Sequence, residues 1–493
     1  MPARKYLLSF PLIGLLSIFI GCGGGSSRPT PKGGFTAANF SGSYAFLFSG
    51  NDLNGFFGVA GSLQADGAGH ITSGVMDINQ NGSSGVPQPI TNQSFTGTYS
   101  VQPDGRGVAA LNSTAGNFRL AFVIINAQRA LVTRFDPNGT GSGTMDLQTS
   151  SAFSTAALAG SLAFNLSGVD GVGAPFASVG SVTTDNTGAV SSGVVDSADN
   201  GSISTDVPVT GGALAVGSNG RSTLDITTAA GTVSFAAYVV DANHIKMVET
   251  DTTTGAQLAG EAFRQPGSLS NASVAGPFAF TVAGVDTTAG LPFAAGGVLN
   301  ADGAGTITSG TEDLSELNSN PLIGISIFNT STYSISGVRG ALTLQTSSGP
   351  FSFAIYPTIN GVQVIETDTG VVGTGSAFGQ TGPFTNNSIS GAYGLNFTAV
   401  TGTQVDTTAS LNADGAGALK GIIDINELNT AGFPAPGTSL NGNYNLNSDG
   451  RGSFNLTTGL GTQTMAVYVV NNSRALFIEV DGAVVSVGVI EHQ

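Results

Sequence analysis

Asp66-Gly67-Ala68-Gly69 sits between two runs of alternating apolar residues, and the chain returns to it three more times. The counterparts are Asp185-Asn186-Thr187-Gly188, Asp302-Gly303-Ala304-Gly305 and Asp414-Gly415-Ala416-Gly417. A tight turn between strands needs positive φ, which glycine tolerates, and a second glycine permits the bulge that restores pairing. A second landmark follows in each unit: Asp104-Gly105-Arg106-Gly107, Asn219-Gly220-Arg221, Gly337-Val338-Arg339-Gly340 and Asp449-Gly450-Arg451-Gly452. A third is a strand ending in acids, Glu249-Thr250-Asp251, Glu366-Thr367-Asp368 and Glu479-Val480-Asp481, where the first unit has Arg134-Phe135-Asp136. The units close on Gln148, Gln265, Gln380 and Gln493.

The period is about 115 residues, too long for a solenoid repeat and the size of a small domain. The expected organisation is four tandem β-domains, 39–148, 149–265, 266–380 and 381–493, read as separate beads rather than one continuous stack. Within the first, Tyr44, Phe46 and Phe48 alternate with Ser43, Ala45 and Leu47, and Phe118, Leu120, Phe122 and Ile124 share a face. Period-two alternation marks half-buried strands. Strands are expected from near Tyr44, Gly58, Ile71, Thr96, Gly107, Phe118, Ala130 and Thr140. Short connections make neighbours antiparallel, and eight such strands can close into a barrel without free edges. The fold class is therefore all-β, each unit an eight-stranded up-and-down barrel. Its outline resembles lipocalin-like or avidin-like barrels in strand count and length alone. A β-sandwich and a β-propeller are the alternatives.

The N-terminus has a different character. Arg4 and Lys5 precede an apolar run from Tyr6 to Ile20, which Gly21-Cys22 closes. At roughly 15 residues the run is shorter than the ~20 a spanning helix needs, as in a secretory signal. Phe19-Ile20-Gly21-Cys22 resembles the bacterial lipobox, with Phe19 in place of the usual Leu. The resemblance implies a signal peptide over 1–21 and a lipidated Cys22 as mature N-terminus. Cys22 is the chain's single cysteine, which that role accounts for. Residues 22–38, rich in Gly, Ser and Pro, form a tether. Gly23, where an Asp signals inner-membrane retention in some bacteria, favours the outer membrane, periplasmic or surface-exposed. The tandem units themselves resemble secreted repeat lipoproteins of unassigned function.

The formal charge of −16 excludes charge-driven binding to phosphate backbones. Histidine is limited to His70, His244 and His492, at unrelated places in their units, so neither a triad nor a histidine metal site is expected. Solvent-exposed positions are the expectation for all three. Asp77, Asp196, Asp313 and Asp424 recur at one position and Glu249, Glu366 and Glu479 at another. Paired carboxylates can hydrolyse glycosides, but pairing of the aspartates with Arg106, Arg221, Arg339 and Arg451 is the stronger reading. Asp77-Ile78-Asn79-Gln80-Asn81-Gly82 fits the first half of a calcium loop, with Gln88 where the closing glutamate belongs. The other units diverge there (Asp313, Ser315, Glu316; Asp424, Asn426, Glu427), and a polar turn explains the run equally well. Phe46, Phe164, Phe280 and Leu395 recur on the first strand as expected core. No catalytic residue, metal or cofactor is assigned. The expectation is a non-enzymatic envelope lipoprotein whose four domains form an interaction or spacer array, meeting the membrane through Cys22 and a surface macromolecule by its domains. Barrels holding small apolar ligands are the alternative, and a carbohydrate-active enzyme the third.

Overall fold

The computed structural model describes residues 34–82, 86–253, 255–459 and 461–493. The signal, Cys22 and most of the tether lie outside the described residues. The fold is all-β, with two closed antiparallel barrels at the ends of the chain and two nine-stranded sheets curled into barrels between them, and neither a sandwich nor a propeller. Barrel 1 runs β1 (Ser41–Asp52), β2 (Gly55–Asp66), β3 (His70–Gln80), β4 (Ile90–Val101), β5 (Arg106–Ser113), β6 (Gly116–Asn126), β7 (Arg129–Asp136) and β8 (Gly139–Leu147). Each strand pairs with the next, and β8 closes on β1 from Tyr44↔Leu147 to Asp52↔Gly139. Barrel 4, from Ser390–Val400 to Val485–His492, closes the same way.

Barrels 2 and 3 carry nine strands because the fourth is broken. In barrel 2 the break falls between Ser202–Pro208 and Gly211–Val216, and the wall is held by Val209 N–H to Gly193 O at 3.0 Å and an Ala189↔Ala213 bridge. In barrel 3 the pieces are Leu322–Ile327 and Ser331–Ser336, both paired to the third strand. The landmark turns behave as their chemistry dictates. Asp66 Oδ1 accepts from the N–H groups of Ala68 (2.7 Å) and His70 (2.9 Å), Gly67 and Gly69 take φ of 76° and 106°, and the register shifts beside them.

The interior of barrel 1 is filled. Phe46, Phe48, Phe57, Phe95 and Phe118 form a chain of ring contacts with centroids 5.7–6.1 Å apart. Phe46, Phe164, Phe280 and Leu395 are core in their respective barrels. Glycine opposite an inward ring makes the room: a Cβ on Gly61 would stand 2.2 Å from the Phe46 ring. One on Gly143 would stand 1.9 Å from the Leu47 carbonyl oxygen. A ring can turn aside and a paired strand cannot. Gly143→Ala is thus expected to lower the urea midpoint more than Gly61→Ala, which should cost about 1–3 kcal/mol as overpacking does. Equal midpoints would contradict this account of the wall.

A short 3-10 turn precedes each first strand and plugs one end: Ala37–Asn39, Thr155–Leu158, Asn271–Ser273 and Asn386–Ser388. The plug is tied by a tyrosine from the fourth strand, Tyr99 to Phe40 O (2.7 Å), Tyr333 to Val274 O (2.6 Å) and Tyr444 to Ile389 O (2.6 Å). Barrel 2 has Leu214 at that position, and Thr184 Oγ1 bonds to Leu158 O instead.

The units are not separate beads. The sixth to eighth strands of each barrel pack on the first three of the barrel before it, and those of barrel 1 pack on barrel 4. These contacts close the four barrels into a ring. Ala45, Leu47, Phe56 and Ala60 of barrel 1 join Val169, Tyr238, Val248 and Ala259 of barrel 2 in one buried cluster. A second cluster joins barrels 2 and 3, and a third spans barrels 3, 4 and 1. The wall faces that alternation leaves apolar on both sides are buried between barrels.

Candidate functional site

The recurring aspartates and arginines meet, each pair across a barrel boundary. Asp77 stands on the outer wall of β3. Arg221 of barrel 2 begins the strand after the Asn219-Gly220 turn, and its Nε and Nη2 donate to Asp77 Oδ2 and Oδ1 at 2.8 and 2.6 Å. The fully buried Tyr238 hydroxyl donates to the same carboxylate. Asp196 receives Arg339 (2.6 and 2.9 Å) and Tyr356 likewise. Asp313 receives Arg451 (2.9 and 2.5 Å) and Tyr468 at 2.8 Å. The ring closes where Arg106 of barrel 1 places Nη1 at 2.9 and 3.0 Å from the Asp424 oxygens of barrel 4. That last lock lacks a tyrosine, because Val123 occupies its place on β6. Burial, and then the adjacent carboxylate, hold the Tyr238 and Tyr468 hydroxyls well above the usual phenol range.

Each aspartate takes one further donor from its own barrel, the backbone N–H of Asn92, Asp206, Gly324 or Gly437 at 2.7–2.8 Å. These four residues have φ of 54°, 58°, 73° and 69°, a conformation open to Asn, Asp and Gly and costly to others. The sequence thus supplies the residue types that the lock's bulge needs. The closing glutamines form a second lock. The side-chain amide of Gln148 donates to Val239 O (2.6 Å), Gln265 to Val338 O (2.8 Å), Gln380 to Val469 O (2.7 Å) and Gln493 to Ile124 O of barrel 1 (2.8 Å).

The calcium reading does not fit this arrangement. Asp77, Asn79 and Asn81 lie on or just beyond one extended strand, and a guanidinium already holds the Asp77 oxygens. Asn79 and Asn81 donate to Ala256 O and Asn54 O, and Asn426 donates to three carbonyls of barrel 1. The two recurring acid positions are not brought together either. Asp77 and its counterparts face outward into interfaces, while Glu249 and Glu366 sit opposite the core residues Phe235 and Phe353, and Glu479 opposite Met465. Burial, and after it Asp368, pushes Glu366 up to about 8; burial and Asp481 push Glu479 up to about 9. Glu312, also inward in barrel 3, is pushed to about 8 by burial and Asp313. In barrel 1, Arg134 stacks on Phe57 (4.5 Å) and Phe118 (5.2 Å) instead.

His244 corrects an expectation. It is 5% exposed, packed against Phe263, while His70 and His492 are exposed. Its Nε2 is 3.3 Å from Glu261 Oε2, beside one end of a buried chain of ion pairs across three barrels. Lys246 Nζ lies 2.5 Å from Glu261 Oε1 and 2.8 Å from Asp146 Oδ2. Arg129 bridges Asp146 (2.6 Å) to Glu491 (2.7 Å), and Arg474 takes the other Glu491 oxygen at 2.7 Å. Burial alone raises the carboxyls of Asp146, Glu261 and Glu491, but the cations beside them outweigh it and hold all three low. Asp146, His244 and Glu261 converge closely enough for a metal, yet the Lys246 ammonium stands among them, so the set does not fit one. Sequence reading missed this chain, whose members hold unlike residues in the four units. It also missed the lock tyrosines, although each follows its arginine at a constant spacing.

No family model and no curated protein matches the chain. Solved structures similar to it include a mutant of transferrin binding protein B from Haemophilus parasuis Hp5, at 10% identity and TM-score 0.21, covering 95% of this chain and 77% of that one. Intact Ap-TbpB with its N and C lobes is 8% identical at TM-score 0.19, covering 97% and 98%. CghA is 10% identical at TM-score 0.17, covering 74% and 97%. Such scores are too low to carry those proteins' fold or function over to this chain.

Proposed function

We propose that the chain is a non-enzymatic envelope lipoprotein, anchored through Cys22, whose four barrels form one rigid platform for contact with a macromolecule or for reach from the membrane. The observation that carries it is the ring: four barrels joined by repeated Arg–Asp and Gln locks present fixed surfaces rather than beads on a string. The filled interior of barrel 1 favours this reading over barrels that hold small apolar ligands. Among the described residues Arg119 and Lys420 are the exposed bases, which sets nucleic acid aside as a partner.

The platform has two ends. Phe35 is buried in barrel 1, with its N–H on Pro103 O at 3.0 Å, so the tether leaves from the plugged end. At the far end the first loops carry Leu53 and Val172, 58% and 89% exposed, suited to contact away from the membrane. Neighbouring barrels point the same way, since Gly370 N–H meets Gly201 O and Asn318 N–H meets Gly482 O at that end.

The test is thermal unfolding of the chain with calcium and with a panel of apolar ligands. A ligand of the native state raises the midpoint with concentration; the expected result is no shift with either. A reproducible shift with an apolar ligand would replace the platform by a binding barrel. Cys22→Ser is expected to move the protein from the membrane to the soluble fraction, and retention on the membrane would remove the anchor.

A further inference from the structure

The chain has one cysteine, so no disulfide can form within it, yet it holds a buried lysine between two buried carboxyls at the boundary of barrels 1 and 2. We propose that Lys246 and Asp146 condense into an amide that joins these barrels covalently, with Glu261 as the proton carrier.

The geometry brings the reacting groups into contact in one buried site. The Lys246 side chain is fully buried, and its Nζ donates to Thr144 Oγ1 at 2.6 Å and Glu261 Oε1 at 2.5 Å. Asp146 Oδ2 is only 2.8 Å from Nζ. Arg129 Nη1 grips the other oxygen, Oδ1, at 2.6 Å.

The steps balance. Lys246 passes one proton to Glu261, and the freed amine lone pair attacks Cγ of Asp146. Arg129 stabilises the negative charge that develops on Oδ1, as a fixed cation in a dry site does best. Glu261 returns its proton to Oδ2, which takes a second from the nitrogen and departs as water. An ammonium and a carboxylate become an amide and water, with no co-reactant and Glu261 restored. Proximity supplies the rate, since the partners are already in contact. Removal of two buried charges supplies driving force, because an ion pair withdrawn from water carries a desolvation penalty that an amide lacks. Arg129 keeps Glu491 as its partner, so the remaining charges still balance.

Intact mass of the denatured full chain tests this, compared with Lys246→Arg. Any lipid or turn dehydration is shared by both proteins and cancels. The expected difference exceeds the lysine-to-arginine increment by one water, because the arginine chain cannot condense. After trypsin, one species should yield two amino termini, Phe135 and Ser222, and no cleavage at Lys246. Glu261→Gln, which keeps both reacting groups, should retain the water. A wild-type mass that differs from Lys246→Arg by the residue increment alone overturns the cross-link. Loss of water from Glu261→Gln overturns the role of Glu261.

Discussion

Asp313→Ala is expected to destabilise the chain by about 3–5 kcal/mol, the cost of stranding one member of a buried charged pair. The carboxylate is fully buried and satisfies two guanidinium donors of Arg451, the Tyr468 hydroxyl and the Gly324 N–H. Alanine leaves all of them without an acceptor, and Tyr468 is itself fully buried. Asp424→Ala should cost less, for a structural reason. Arg106 retains Asp104 through Nε at 2.9 Å, and Val123 offers no hydroxyl to strand. Denaturant unfolding of the two variants beside the parent makes the comparison. Equal losses would mean that the tyrosine adds nothing and that the locks only mark the interfaces. A larger loss for Asp424→Ala would instead make ring closure the weak point of the assembly.

Much of the barrel was legible because it is local. Asp66-Gly67-Ala68-Gly69 states a turn and a bulge in four residues, and alternation around Phe46 and Phe118 states which wall faces the core. The Asp–Arg pairing was legible as chemistry, since few bases exist to meet recurrent acids. That the partners come from neighbouring barrels was not, because pairing within a unit and pairing between units leave the same sequence repeat. The ring hides for a related reason. Ala45 and Leu47 alternate with Tyr44, Phe46 and Phe48, so this strand is apolar on both faces, a pattern that a strand buried between core and neighbour shares with any fully buried strand. The buried charge chain could not be read from repeats at all. Where barrel 1 has Arg129 and Asp146, barrel 2 has His244 and Phe263, and barrel 4 has Arg474 and Glu491. Its members are complementary across interfaces rather than conserved in position.

The inward acids make the chain's stability fall as pH rises from about 5 to 9. An unfolded glutamate releases its proton near about 4.3. Folded Glu312 and Glu366 hold theirs to about 8 and Glu479 to about 9. Between those values the folded chain binds protons that the unfolded chain has lost, so unfolding releases protons and higher pH favours it. Each pH unit of such a gap is worth about 1.4 kcal/mol per group. One glutamate therefore contributes a loss on the order of several kcal/mol across the window. Glu312 and Glu366 share one barrel and titrate as a pair, so their losses do not simply add. Glu491 acts in the opposite sense, because Arg129 and Arg474 outweigh its burial and hold its carboxyl low. The stability it contributes is present above the unfolded value and is lost as pH falls through the folded one, which bounds the acid side. Maximum stability is thus expected near pH 4–5, at the acid edge of the usual range. Glu366→Gln and Glu479→Gln remove the buried proton equilibrium while keeping the shape. Each should raise the melting temperature at pH 8, leave it unchanged near pH 4.5 and flatten the slope between. A parent chain that grows more stable from pH 5 to 8 would show that these carboxyls are ionised in the barrels and that water reaches them.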